Sequence, residues 1–111
     1  MKLYHVSDRS NLESILEKGI LRGEGSSYVS LSKRYDSWVS PQGDNTKVIF
    51  EVEGDTLPGR MNSFLPDLDE IIHWGDVPRE NILRWRIGNL RSPYQGWIST
   101  NGGNISLGEN A

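Results

Sequence analysis

Cysteine is absent from the 111 residues, and histidine occurs only twice. The first absence excludes disulfides, thiolate catalysis and cysteine-based zinc sites. The second leaves too few imidazoles for a histidine-rich metal centre, so no metal is expected. Long hydrophobic runs are missing too. MKLYHV lacks the apolar stretch of a secretory leader, and nothing later approaches the ~20 apolar residues of a membrane-spanning helix. The expectation is a cytoplasmic protein, of the producing cell or of one it enters, with no membrane role. Excess charge of either sign is also lacking: 12 Lys+Arg stand against 15 Asp+Glu, a net of -3. Such a chain has no general attraction for nucleic acid and would meet one only through a local patch.

What the chain does have is apolar mass concentrated in a few large side chains, 35% hydrophobic residues with four Trp and four Tyr. That suits one domain, residues 1–111, with a single core and abundant loops. Leu3, His5 and Ser7 alternate with Tyr4 and Val6, the period of a strand. Ser10 followed by Glu13 reads as a capping box, and Leu12, Ile15 and Leu16 recur at helical spacing until Gly19 stops the run. YVSLS alternates again, with Tyr28, Ser30 and Ser32 opposite Val29 and Leu31. KRYDSW is expected to make one or two helical turns.

KVIFEVEG predicts a strand that buries Val48, Phe50 and Val52 and exposes Glu51 and Glu53 at least in part. Residues 55–69 show little periodicity and predict a long loop of functional type. DEIIHWG is a further strand, followed by a turn at Pro78. ILRWRI sets Leu83, Trp85 and Ile87 against a solvated basic stripe of Arg84 and Arg86. A terminal hairpin is expected over about 94–108. The fold class is α+β, with one main N-terminal helix and about six short strands.

The candidate functional residues are His5 with Ser7, the serines and aromatics of YVSLSKRYDSW, and Glu70. Taken singly, a strand histidine, an edge-strand serine and an Asp-Glu pair are ordinary structural features. Their order is more informative. YHVS followed by NLESILEKGIL, then YVSLSKRYDSW, then DEIIHWGDVPRENI resembles the ADP-ribosyltransferase superfamily, which includes poly-ADP-ribose polymerases, diphtheria-like toxins and RNA 2'-phosphotransferases. The resemblance runs from residue 3 to about 85 and is most specific in its first block.

The resemblance implies an ADP-ribosyltransferase-like fold of small split antiparallel sheets, with NAD as substrate. It implies that His5 holds the adenosine-side ribose and Ser7 the nicotinamide amide. Tyr28, Ser30, Tyr35 and Trp38 would complete the cofactor site, with Tyr35 or Trp38 stacking on nicotinamide, and Glu70 would be catalytic. Residues 55–69 would recognise the acceptor through Arg60, Asn62 and Phe64. Leu68 occupies the position two before Glu70 where arginine-modifying members carry Glu or Gln, which disfavours an arginine acceptor. A monomeric mono-ADP-ribosyltransferase acting on a macromolecule, protein rather than nucleic acid, is the expectation, as a toxin, phage effector or anti-defence factor. The alternatives are a non-catalytic nucleotide- or partner-binding domain, an NAD glycohydrolase and an RNA 2'-phosphotransferase.

Overall fold

A computed structural model of the chain describes residues 1–23, 25–37, 39, 43–62, 69–89 and 96–100. Its strands are β1 (Lys2–Asp8), β2 (Val29–Ser32), β3 (Asp44–Glu53), β4 (Arg60–Asn62), β5 (Glu70–Trp74), β6 (Ile82–Gly88) and β7 (Ile98–Ser99). One helix, α1, covers Leu12–Lys18. The strands form a single antiparallel sheet in the order β4-β5-β2-β1-β3-β6-β7. This is an α+β fold, and among the described residues no helix is long and apolar enough to cross a membrane. In place of two separate sheets there is one sheet with a narrow waist, because β1 and β2 are paired only at Tyr4 and Ser32.

Residues paired across antiparallel strands project to the same face, so the register assigns the faces. Leu3, His5 and Ser7 pair with Val52, Phe50 and Val48 on β3, and Trp85 on β6 pairs with Phe50. This is the core face. Leu3, Val48, Phe50, Val52 and Trp85 are buried there together with Val29, Leu31 and Ile71, and α1 adds Ile15 and Leu16. Full burial of such side chains stabilises by about 1.5–3 kcal/mol each. The apolar alternation along β1, β3 and β6 therefore sets the register, since a one-residue slip would turn all of these side chains into water.

The other face is covered differently. Val39, Ile49 and Ile72 are buried outside the main core cluster. Beside them runs a polar cross-strand row in which Tyr4 faces Glu51 and Glu51 faces Arg84. Glu51, expected to be exposed at least in part, is 5% accessible. It accepts hydrogen bonds from Tyr4 Oη at 3.2 Å and Arg84 Nη2 at 2.8 Å, which make its burial tolerable. Burial, and next the Glu51 carboxylate, push the Tyr4 phenol up, so it remains the donor. The expected solvated stripe is also overturned. Arg86 is buried, and both Arg84 and Arg86 lie against the ring of Trp97, at 4.4 and 5.7 Å from its centroid.

The chain enters α1 through a 3-10 turn at Arg9–Asn11, and neither turn nor helix has a side-chain cap. Ser10 lies inside that turn and not at an extended N-cap position, so the geometry that a capping box needs is missing, and the Asn11 amide donates to Ser7 Oγ. Gly19 does stop the helix. The described part of KRYDSW makes turns and no helix. Within residues 55–69, Arg60–Asn62 is an edge strand paired with β5, so the expected loop is in part sheet. Of the C-terminal hairpin, β7 pairs with β6, and residues 101–111 lie outside those described.

Gly19 shows how tightly the helix is fastened. It has φ of 86°, and a Cβ there would collide with the Val77 carbonyl, just where Ile20 and Val77 exchange backbone hydrogen bonds of 2.9 and 2.8 Å. Both the dihedral and the contact require glycine. Gly19→Ala is expected to destabilise the protein by roughly 1–3 kcal/mol, read as a lower urea midpoint at unchanged m-value.

Candidate functional site

Past the Tyr4–Ser32 pair, β1 and β2 diverge, and the backbone there lacks ladder partners. His5 fills the gap. Its Nδ1 lies 3.0 Å from the Ser30 carbonyl oxygen, and because a carbonyl only accepts, Nδ1 carries the proton and donates. Burial lowers the pKa of His5 from its ordinary 6.5, partly offset by the Ser30 hydrogen bond. At neutral pH the ring is uncharged, and Nε2 presents a lone pair that suits a hydroxyl donor such as a ribose.

Ser30 also faces the other way. Its hydroxyl donates to Glu70 Oε2 at 2.5 Å, a pairing made possible because Ser30 and Glu70 lie on adjacent antiparallel strands, Ser32 being opposite Glu70 and Ser30 opposite Ile72. One residue thus fixes both the imidazole, through its carbonyl, and the carboxylate, through its hydroxyl. A side chain tied down at its oxygen keeps its geometry when a ligand arrives, which is what electrostatic stabilisation of a developing charge demands.

His5, Ser30 and Glu70 line one cleft of about 390 Å³ together with Val6 and Lys47. Lys47 pairs with Asp8 at 2.5 Å, and hydrogen bonding to that carboxylate raises the lysine pKa. A second cleft, of about 200 Å³, is lined by His5, Ser7, Asn11 and Ser14 with the end of α1. The sequence pattern placed His5 and Ser7 on one face, and they do share this second cleft. Ser7 and Glu70, however, do not line a common cleft: the imidazole stands at the waist and borders both.

The aromatic residues pack against one another. Tyr35 meets Tyr4 edge-on at 6.5 Å between centroids, and Tyr4 also contacts Trp97 at 6.3 Å. Tyr28 packs edge-on against Trp74 at 5.7 Å. Neither Tyr28 nor Tyr35 lines the cleft that holds Glu70. Trp38 and Phe64 lie outside the described residues. Arg60 and Asn62 are at the β4 edge, where Arg60 covers Trp74 and Asn62 accepts from its indole. His73 points away from Glu70, as its place in the strand requires. It is buried, with Nε2 2.6 Å from the Pro58 carbonyl and Nδ1 3.0 Å from that of Gly75, and it ties the β3–β4 connection to β5.

Sequence reasoning missed Lys47, which looked like an ordinary strand charge. Its signal is positional: Lys47 pairs with Asp8, the last residue of the strand that carries His5. Among the described residues no group of three or more His, Asp or Glu side chains is arranged to hold a metal.

The lowered pKa of His5 has a pH consequence. The unfolded chain binds a proton near the ordinary 6.5 while the folded chain resists it until a lower pH. Stability is therefore full above that value and falls as the pH drops through it towards the folded pKa. His5→Gln, which cannot be protonated, is expected to flatten this acid-side loss in melts taken between neutral and mildly acid pH. A scan against protein-family models and a search of curated proteins found no match to this chain, so the reading of the site rests on its geometry and its motifs.

Proposed function

We propose that the chain is an NAD-dependent mono-ADP-ribosyltransferase with an ADP-ribosyltransferase-like fold. The observation that carries this reading is the Ser30 junction, which fixes His5 at 3.0 Å and Glu70 at 2.5 Å on the wall of one cleft. The three residues come from separate sequence blocks of the motif, and they meet through the hydrogen bonds of Ser30 where β1 and β2 diverge.

NAD would be the substrate. Its nicotinamide carries a positive charge and leaves as a neutral ring, taking the electron pair of the glycosidic bond. The ribose anomeric carbon then becomes oxocarbenium-like, as in glycoside hydrolysis. Glu70 is the anionic group that meets that charge. At about 4 Å and an effective dielectric of ~20 the attraction is on the order of 4 kcal/mol, or roughly a thousandfold in rate. An acceptor nucleophile adds to the anomeric carbon and gives up its proton to the Glu70 carboxylate. The neutral His5 accepts from a ribose hydroxyl, and the clamp at Ser30 holds Glu70 ready before the substrate binds. The macromolecular acceptor distinguishes this activity from plain NAD hydrolysis.

The test uses labelled NAD and a cell lysate. Wild-type protein is expected to label a macromolecule, while Glu70→Gln loses label by about a thousandfold and still binds NAD in a calorimetric titration. Ser30→Ala should bind NAD normally and turn over about tenfold more slowly. Release of free ADP-ribose alone would reassign the chain as a glycohydrolase, and failure of wild type and Glu70→Gln alike to bind NAD would end the NAD reading.

A further inference from the structure

Tyr28, Trp74 and Arg60 lie side by side across the β4 end of the sheet. Tyr28 is 40% exposed, and its ring meets that of Trp74 edge-on at 5.7 Å and 69°. Arg60 is paired in register with Trp74, and its guanidinium carbon lies 5.8 Å from the Trp74 ring centroid. Asn62 accepts from the Trp74 indole nitrogen at 3.3 Å, which fixes the ring. Among the described residues no carboxylate is within ion-pair distance of Arg60, whereas Arg22 and Arg84 each have one. Two adjoining aromatic rings left partly in water, one of them under a guanidinium that has no ion-pair partner among the described residues, are not accounted for by packing.

We propose that Tyr28, Trp74 and Arg60 form a stacking platform for an unpaired base of a single-stranded nucleic acid. Each part has a chemical task. The aromatic surface receives a base, which stacks with any aromatic face whatever its identity, and Arg60 meets the neighbouring phosphate. A duplex does not fit, because its bases are already stacked and the net charge of -3 offers no broad attraction to its backbone. A stacked base needs little more than the ring faces, whereas a stable protein interface requires about 800 Å² from each partner.

The platform is on the same face of β5 as Glu70. Trp74 is four residues along that strand from Glu70, about 13 Å at the usual rise, with Ile72 between them. The platform stands on its own contacts and does not depend on the ADP-ribosyl reading. Where both hold, a strand stacked there runs towards the Glu70 cleft and is the acceptor.

The experiment contains no NAD, so its outcome is independent of that reading. Fluorescently labelled oligo-dT and oligo-U of about ten nucleotides are titrated with the full chain at low salt, alongside a duplex of the same length, AMP and polyglutamate. Both single strands are expected to bind, more tightly than the duplex and AMP. Trp74→Ala and Tyr28→Ala should each weaken binding about tenfold, and Arg60→Gln should weaken it and reduce its salt dependence. Tyr28 precedes β2 and is exposed, so Tyr28→Ala keeps the test valid if Trp74→Ala does not fold, as checked by circular dichroism. The proposal is overturned if no strand binds, if the duplex binds equally, if the folded variants bind as wild type does, or if AMP alone binds as tightly as the oligomers. Binding of polyglutamate in preference to the strands would make this a protein-docking surface and equally overturn it.

Discussion

The narrow waist between β1 and β2 is the constraint on which the rest depends. Had the two strands stayed paired past Tyr4 and Ser32, the Ser30 carbonyl would have met a backbone amide and no cleft would exist between them. Because they diverge, that carbonyl takes its proton from an imidazole instead. A buried acceptor left empty would cost about 1–3 kcal/mol, so filling it with His5 serves the fold as well as the site. The same opening gives Glu70 a wall to stand on and gives the imidazole a cleft on either side.

Two flanking supports hold the waist open to the right extent. On one side, β1 is paired edge to edge along its whole length with β3, from Lys2–Glu53 to Asp8–Lys47, so His5 cannot follow β2 away. On the far side, β2 is paired throughout with β5, which carries Glu70 at its first position. Each half is a rigid antiparallel unit. The site is a seam between two well-ordered pieces, with its chemistry in Ser30, where a backbone group and a side chain of one residue serve opposite neighbours.

Much of this was legible in the sequence wherever periodicity and burial coincide. The strands bearing His5, Val48 to Val52 and Trp85 follow directly from alternating residues, that of Glu70 reads as a short strand from its Ile pair, and Gly19 ends the helix as glycine after an apolar run should. What was not legible depends on partners distant in sequence. Glu51 looks like a solvent-facing carboxylate until Tyr4 and Arg84 are seen on either side of it, 47 and 33 residues away. Arg86 looks like part of a solvated face until Trp97 is placed over it. The capping box is absent because a 3-10 turn takes in Ser10 and leaves it no extended N-cap geometry. His5 and Ser7 were correctly assigned to one face, but no single strand pattern reveals the pairing of β1 with β2 and of β2 with β5, which puts Glu70 on the face opposite Ser7.

The strand order also has a bearing on how the chain comes together. β1 is synthesised first but lies in the middle of the sheet, and Lys2 has no partner until Glu53 has been made. The N-terminal strand must therefore wait through the synthesis of α1, β2 and most of β3 before its longest pairing can form. With such non-local pairing, folding is slow compared with that of a helical bundle of this size. A chain made only as far as β2 holds a helix and two strands that share a single residue pair, and the cleft comes into being only after β5 has emerged to meet β2.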